Sequence, residues 1–134
     1  MASVECGSNS RAELVREGPT LEVVINNTSA TNPLNKQLPT LIDTGAEWNL
    51  IEDTLATDVL HLRHVDDQWI QTANGAVLAP VYIARLTIPS LTYSKLQRFV
   101  GVSLGADRVL LGREGLQDFV LTYSGRSGKV TLQY

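Results

Sequence analysis

The stretch that decides the fold is Leu41-Ile42-Asp43-Thr44-Gly45-Ala46, which occurs once in the 134-residue chain. A short apolar run, residues 38–42, leads the aspartate onto a tight Thr-Gly turn. A second apolar run that ends in glycine and arginine, Val109-Leu110-Leu111-Gly112-Arg113-Glu114-Gly115-Leu116, follows about sixty residues later. A carboxylate at the end of an apolar strand is costly unless its charge is satisfied. Asp43 is therefore either a turn cap, since Asp, Thr and Gly are common turn residues, or a functional acid.

Acid–base hydrolysis distinguishes these two readings of Asp43. A single aspartate cannot perform it, whereas two facing carboxylates can share one proton and activate a water between them. Like charges about 3 Å apart cannot both ionise, so one carboxyl acts as base and the other as acid. Because the motif is present once, this chemistry predicts a symmetric dimer that shares one active site.

The composition is that of an ordinary globular domain, 43% hydrophobic and 19% charged, with a net charge of −3. No cluster of Lys and Arg is present, which argues against nucleic-acid binding. One cysteine, Cys6, excludes an internal disulfide and a cysteine zinc site. His61 and His64 have no obvious third ligand, so we expect no metal and no cofactor.

The start of the chain is polar and lacks the basic and apolar regions of a signal peptide. No apolar stretch approaches the ~20 residues that span a bilayer. We therefore expect a soluble chain without membrane contact, cytoplasmic more readily than secreted. A trimmed anchor or a larger precursor stays open.

Seven or eight short β-rich runs separated by turn signals predict an all-β barrel or sandwich, one domain over residues 18–134. Residues 1–17 are mixed and polar, which predicts an N-terminal arm that is either flexible or an edge strand. Acidic residues open the segment 52–60 and predict a short helix there. A further helical turn is predicted over residues 114–118, after the Gly-Arg-Glu motif.

The dipeptide Asn74-Gly75 joins two β-rich runs and predicts a hairpin, because both residues tolerate positive φ. Pro80 cannot donate to a strand ladder, so this end of the hairpin is expected at an edge or as a free arm. The hairpin is either a mobile cover for a substrate or a plain turn. Trp48 and Trp69 are expected in the core rather than as walls of a specificity pocket.

Three motifs in this order and spacing resemble the retroviral-type aspartic proteases, or retropepsins. They are Leu-Ile-Asp-Thr-Gly-Ala, a glycine-bearing hairpin about thirty residues on, and Leu-Leu-Gly-Arg-Glu-x-Leu. The closing stretch, residues 119–132, is more similar to cellular or bacterial members than to viral ones. The resemblance covers residues 18–134 and implies a single-lobe β-barrel with one short helix after the Gly-Arg-Glu motif, assembled as a homodimer.

The resemblance also implies roles for residues of the turn. Asp43 matches the catalytic aspartate, contributed once per subunit. Thr44 matches the residue whose hydroxyl bonds across the two subunits and holds both turns rigid. Gly45 matches the residue that lets the substrate approach closely and offers it a carbonyl, and Ala46 lines the floor.

Other positions match the residues that cover and support the site. The hairpin tip matches the flap, residues Ala73, Asn74, Gly75 and Ala76. Gly112 and Arg113 match the point where an apolar strand passes behind the active-site turn. Arg113 is implied to pair with a carboxylate near the aspartates, with Glu47 as its expected partner.

Three functions follow from these patterns. The first is a homodimeric aspartic endopeptidase that hydrolyses extended peptides with apolar side chains beside the cleaved bond. The second is a catalytically silent dimerisation or peptide-binding module with the same fold, since fold does not fix function. The third is a monomeric β-barrel ligand binder in which Asp43 only caps a turn.

Overall fold

The computed structural model describes residues 2–7 and 10–134, and these residues form mostly β-structure. The helical elements are α1 (Arg11–Glu17), a π-helical turn (Leu55–Val59) and a 3-10 turn (Pro89–Leu91). The strands of this described part are β1 (Ser3–Cys6), β2 (Thr20–Asn26), β3 (Asn35–Ile42), β4 (Leu50–Glu52), β5 (Arg63–Thr72), β6 (Gly75–Ile88), β7 (Tyr93–Val102), β8 (Val109–Leu111), β9 (Val120–Ser124) and β10 (Lys129–Gln133).

Six strands close into a barrel in the order β2-β3-β8-β4-β7-β6, and a β2–β6 pairing seals it. The alternation of apolar residues explains why these strands enclose a core. Strand β2 buries Leu21, Val23 and Ile25 at alternate positions and leaves the residues between them facing outward. This period of two places one face of the strand in the core. The predicted all-β barrel is confirmed.

The strand that leads to the aspartate, β3, lies in the barrel wall between β2 and β8. β3 pairs antiparallel with β2 and parallel with β8, where Leu41 is opposite Leu110 and Ile42 is opposite Leu111. The two apolar runs seen in the sequence are therefore neighbours. This pairing brings the residue after β3 next to the residue after β8.

A second sheet of three strands has the order β1-β10-β9. β1, within the predicted arm, pairs antiparallel with β10, where Cys6 is opposite Val130. Helix α1 follows, and its N-terminus is capped by the Ser10 side chain, which accepts from the Glu13 N–H at 3.3 Å. Residues 1, 8 and 9 of the arm lie outside the described residues. The division into an arm (1–17) and a domain (18–134) stays a prediction.

Two helical segments were expected, and one of them forms. The segment 52–60 holds the π-helical turn, in which the Leu60 N–H donates to the Leu55 carbonyl at 3.0 Å. The helix predicted after the Gly-Arg-Glu motif is wrong. Residues 113–118 form successive turns instead, because their hydrogen bonds run i→i−3, from the Gly115 N–H to the Gly112 carbonyl (3.1 Å) and from the Leu116 N–H to the Arg113 carbonyl (3.2 Å), and not i→i−4 as in an α-helix.

The predicted hairpin consists of β5 and β6, and its tip lies one residue earlier than expected. Thr72 is opposite Gly75, so Ala73 and Asn74 form the turn, and the positive φ (104°) falls on Gly75 alone. Residues 67–80 of this hairpin pair only with each other, since β7 pairs with β6 from Val81 onward. They form a two-stranded arm outside the barrel, and the interpretation of Pro80 is confirmed.

Candidate active site

Asp43 lies directly after β3 and is fixed through its backbone and one carboxylate oxygen. Its N–H donates to the Leu111 carbonyl at 2.9 Å. Its Oδ1 accepts the Gly45 N–H at 2.9 Å, and its carbonyl accepts the Ala46 N–H at 3.2 Å. The carboxylate is half-buried and no described residue hydrogen-bonds to Oδ2. One oxygen is thus held in place and the other is open to a ligand.

The chain after β8 passes directly behind this turn, which we define as the Asp-Thr-Gly turn (residues 43–46). The Arg113 N–H donates to the Ala46 carbonyl at 2.8 Å, and the Glu114 N–H donates to the Glu47 carbonyl at 3.0 Å. Gly112 is required here, because a Cβ at this position would lie 2.3 Å from the Trp48 carbonyl oxygen. The two motifs found in the sequence therefore form one compact unit.

The Arg113 side chain holds the turn in a different way from the one expected. Its Nη1 donates to the Thr44 carbonyl oxygen at 2.8 Å. The implied pairing with Glu47 is not formed: among residues 2–7 and 10–134, no carboxylate lies within 4.0 Å of the Arg113 guanidinium. The guanidinium binds the Thr44 carbonyl instead, and the Glu47 carboxylate stays exposed to solvent.

The sequence reasoning missed Asn49, which is fully buried beside the turn. Its Oδ1 accepts the Gly112 N–H at 3.1 Å, and its Nδ2 donates to the Arg98 carbonyl at 3.0 Å and to Gln97 Oε1 at 3.2 Å. Gly115 makes room for it, because a Cβ there would lie 2.2 Å from Asn49 Oδ1. A single amide inside the apolar run from Trp48 to Ile51 was the signal that could have found it.

A groove of about 440 Å³ separates the turn from the β5–β6 arm. Its lining residues are Gly45, Ala46, Glu47, Trp48, Leu50, Trp69, Ile70 and Gln71. Trp69 is 63% exposed, so its assignment to the core is wrong, whereas Trp48 is half-buried and packs against a small apolar cluster with Leu50 and Ile70. The groove mixes aromatic walls with the Glu47 carboxylate.

The flap tip itself, Ala73 to Ala76, is not hydrogen-bonded to the Asp-Thr-Gly turn within the described chain. Thr72 closes the tip instead: its Oγ1 donates to the Gly75 carbonyl at 2.7 Å and accepts the Asn74 N–H at 3.2 Å. The middle of the arm, around Trp69 and Ile70, is the part that faces the turn across the groove.

The base of the arm is anchored where it leaves the barrel. The Tyr82 hydroxyl donates to Asp53 Oδ1 at 2.7 Å. Burial, followed by the Asp53 carboxylate, raises the pKa of Tyr82, so this hydroxyl remains a donor. Gly101 permits the contact, because a Cβ there would lie 2.6 Å from both side chains. Nearby, hydrogen bonding to Asp67 (2.8 Å) raises the pKa of the exposed His64.

Among residues 2–7 and 10–134, no three His, Cys, Asp or Glu side chains are grouped closely enough to hold a metal ion. In the same described part, no helix has the length and apolarity to cross a membrane. The arrangement offers instead one carboxylate on a rigid turn, with a groove beside it and a hairpin arm over the groove.

A family model described as "gag-polyprotein putative aspartyl protease" matches residues 32–118, which include the Asp-Thr-Gly turn, the arm and Gly112-Arg113. The fold is similar to the crystal structure of a retropepsin-like aspartic protease from Rickettsia conorii, with a TM-score of 0.64 at 17% identity. That likeness covers 99% of this chain and 91% of the Rickettsia chain. No curated protein matches the chain. The predicted retropepsin-like fold is confirmed.

Proposed function

The chain belongs to the gag-polyprotein aspartyl protease family, and we propose that it is an endopeptidase whose active site forms between two copies. In this proposal each subunit of a homodimer contributes one Asp43. The observation that carries it is the Asp43 carboxylate, which is fixed through Oδ1 by the Gly45 N–H while Oδ2 has no hydrogen-bond partner in the described chain. A turn cap makes the same Oδ1 bond, so the family match over residues 32–118 and the groove beside the turn favour the catalytic role.

The proposed reaction uses the two carboxyls in opposite protonation states. The ionised carboxylate takes a proton from a water whose oxygen attacks the scissile carbonyl carbon, and the protonated one gives its proton to the carbonyl oxygen. Collapse of the tetrahedral intermediate then breaks the C–N bond: the carboxyl that took the water's proton gives it to the nitrogen, and the other carboxylate takes a proton from a hydroxyl of the intermediate as the carbonyl reforms. Because the pair must hold one proton, activity is expected at acidic to mildly acidic pH.

The free edge of the three-stranded sheet supports the assignment of a second copy as partner. In the described chain, β9 pairs on one side with β10 and on its other side with no strand. It exposes Val120 (57%) and Tyr123 (56%), and an unpaired apolar edge invites strand addition. The segment that precedes β9 is bonded to the Asp-Thr-Gly turn, so β9 pairing between two copies would bring both turns to the same interface.

The proposed substrate is an extended peptide that lies in the groove between the Asp-Thr-Gly turn and the β5–β6 arm. Backbone hydrogen bonds would hold it in the manner of an added strand. Trp48, Leu50, Trp69 and Ile70 line the groove, which favours apolar side chains near the cleaved bond. No nucleic acid, metal or other cofactor has a part in this proposal.

The test is cleavage of a diverse peptide mixture, read by mass spectrometry over pH ~4 to ~7 and over a range of protein concentrations. Asp43→Asn should reduce cleavage by at least on the order of 10³-fold, since a neutral amide cannot act as the base. Asp107→Asn is the matched control, because Asp107 pairs with Lys36 at the surface. Cleavage should rise faster than linearly with protein concentration if two copies share one site.

Folded wild-type protein that cleaves nothing at any concentration or pH would refute the enzymatic proposal and favour the silent binding module. Cleavage that is strictly linear in protein concentration, from a sample shown to be monomeric by sedimentation, would refute the shared site.

A further inference from the structure

A line of side-chain hydrogen bonds starts behind the Asp-Thr-Gly turn and runs through the barrel wall. The Gly112 N–H donates to Asn49 Oδ1 (3.1 Å), and Asn49 Nδ2 donates to Gln97 Oε1 (3.2 Å). Asn49 is fully buried. A buried amide that lost these partners would carry the full cost of its desolvation, so its position is closely determined.

The second half of the line joins Gln97 to the segment that precedes β9. Gln97 Nε2 donates to Tyr93 Oη (2.9 Å), and the Tyr93 hydroxyl donates to Asp118 Oδ2 (3.0 Å). Lys95 Nζ lies 3.2 Å from the same oxygen. We define the polar relay as Asn49, Gln97, Tyr93 and Asp118. Every donor in it points toward Asp118, so each hydrogen bond polarises the next.

The protonation states fit this direction. Burial raises the pKa of Tyr93 to about 12, so its hydroxyl stays protonated. The Tyr93 hydroxyl and the Lys95 ammonium lower the pKa of Asp118, so its carboxylate stays charged in mildly acidic solution. The relay is therefore intact over the pH range in which the proposed enzyme would work.

Packing ties the end of the relay to β9. The Tyr93 ring, which is 1% exposed, has its centroid 4.7 Å from that of Phe119 and 5.1 Å from that of Tyr134. Phe119 directly precedes β9, and Tyr134 directly follows β10. A shift of Tyr93 would therefore displace the whole edge of the three-stranded sheet.

We propose that the polar relay sets the position of the Asp-Thr-Gly turn relative to β9, so that Asn49, Gln97 and Tyr93 are positioning residues for the two aspartates. The inference rests on the proposed function, in which β9 joins two copies and each turn carries one Asp43. A misplacement of reacting groups by about 1 Å can cost on the order of 10²-fold in rate. Neither Gln97 nor Tyr93 lines the groove, so substitutions at these two positions leave the side chains that contact the substrate in place.

The kinetic test uses Tyr93→Phe, which keeps the aromatic packing, and Gln97→Met, which keeps the length of the side chain. Each should lower kcat on the order of tenfold with less than twofold change in KM, at protein concentrations where the dimer is saturated. The double variant should be no worse than either single one, since both break the same chain of hydrogen bonds. Thr87→Val is the matched control, because it removes a 3.1 Å contact to Ser94 on β7, the strand that carries Tyr93 and Gln97, without touching the relay.

Any of three results would overturn the proposal. They are an unchanged kcat in both folded single variants, additive losses of kcat in the double variant, and an equal loss of kcat in Thr87→Val. Should Tyr93→Phe fail to fold, Gln97→Met at its partly exposed position decides alone. A rise in KM with kcat unchanged would place the effect on substrate binding and would also overturn it.

Amide hydrogen exchange separates this inference from the proposed function, because it needs no proteolysis. In Tyr93→Phe and Gln97→Met, protection of the Gly112 amide should fall on the order of tenfold, while the Ile25 amide in β2 keeps its protection. Unchanged exchange at Gly112 would overturn the relay even if the protein is an active protease. Faster exchange at Gly112 in a chain that cleaves no peptide would support the coupling and overturn the proposed function.

Discussion

Replacing Gly112 with alanine tests whether the turn and the strand behind it form one unit. The added Cβ would lie 2.3 Å from the Trp48 carbonyl oxygen, 2.7 Å from its carbon and 2.9 Å from the Ala46 carbonyl oxygen. All three atoms belong to the backbone, so no side chain can move away. To reach 3.0 Å, below which Cβ atoms essentially never approach, the strands must separate by about 0.7 Å.

That separation has two costs. It would lengthen the Arg113 N–H to Ala46 contact (2.8 Å) and the Gly112 N–H to Asn49 contact (3.1 Å). Overpacking of this kind typically costs 1–3 kcal/mol, so we expect the free energy of unfolding to fall by about 3 kcal/mol, at the upper end because backbone must move. Displacement of Asp43 should reduce kcat by on the order of 10²-fold.

Urea unfolding and peptide cleavage measure the two effects. Gly125→Ala is the matched control, since a Cβ there meets only the Tyr123 ring at 3.4 Å and should change stability by less than about 0.5 kcal/mol. If Gly112→Ala unfolds at the same urea concentration as wild type and retains its kcat, the close packing of β8 behind the turn has been misjudged and the reasoning fails.

Two other predictions concern the groove and the relay. Trp69→Ala should lower kcat/KM by on the order of tenfold with little loss of stability, because the side chain is 63% exposed and lines the groove. Leu96→Ala, at a 52% exposed position on β7 away from the groove, should leave cleavage unchanged. A loss shared by both variants would contradict the assignment. The depressed pKa of Asp118 means that its contribution to stability is present above the unfolded-state pKa near 3.8 and is lost as pH falls through the lower folded-state pKa. Wild type should therefore melt above Asp118→Asn at pH ~6, with the gap narrowing toward pH ~3, and a gap that is constant with pH would contradict the ionic role of Asp118.

The sequence predicted the parts of the site that depend on local chemistry. The apolar run that ends in Asp-Thr-Gly predicted the strand and its turn. Asn74-Gly75 together with Pro80 predicted the hairpin arm outside the barrel. The predicted tip was misplaced by one residue. Only Gly75 has a positive φ, so the two residues of the turn, Ala73 and Asn74, do not both have to tolerate one.

Long-range contacts account for what sequence reasoning missed. Gly115 interrupts the helix-forming side chains of residues 113–118, because the distant Asn49 side chain occupies the space that a Cβ there would fill, and the segment closes as i→i−3 turns. Asn49 is a polar residue among apolar ones, and only the three-dimensional arrangement shows that Gly112, Gln97 and Arg98 surround it. Trp69 is exposed because the arm that carries it stands outside the barrel, which periodicity cannot reveal.

The separation of the arm from the barrel has a practical consequence for ligand discovery. Residues 67–80 make no strand pairing with the barrel, so apart from Ile70 and Ala79, which pack with Val81 and Val100, their side chains add little to the cooperative unfolding that a thermal-shift assay records. Most substitutions in the arm would go unnoticed in such a screen even where they abolish turnover. A compound held only by the arm would stabilise the arm by about 2.7 kcal/mol at one hundred times its Kd, and little of this would reach the unfolding of the barrel. Searches for inhibitors should therefore read cleavage directly.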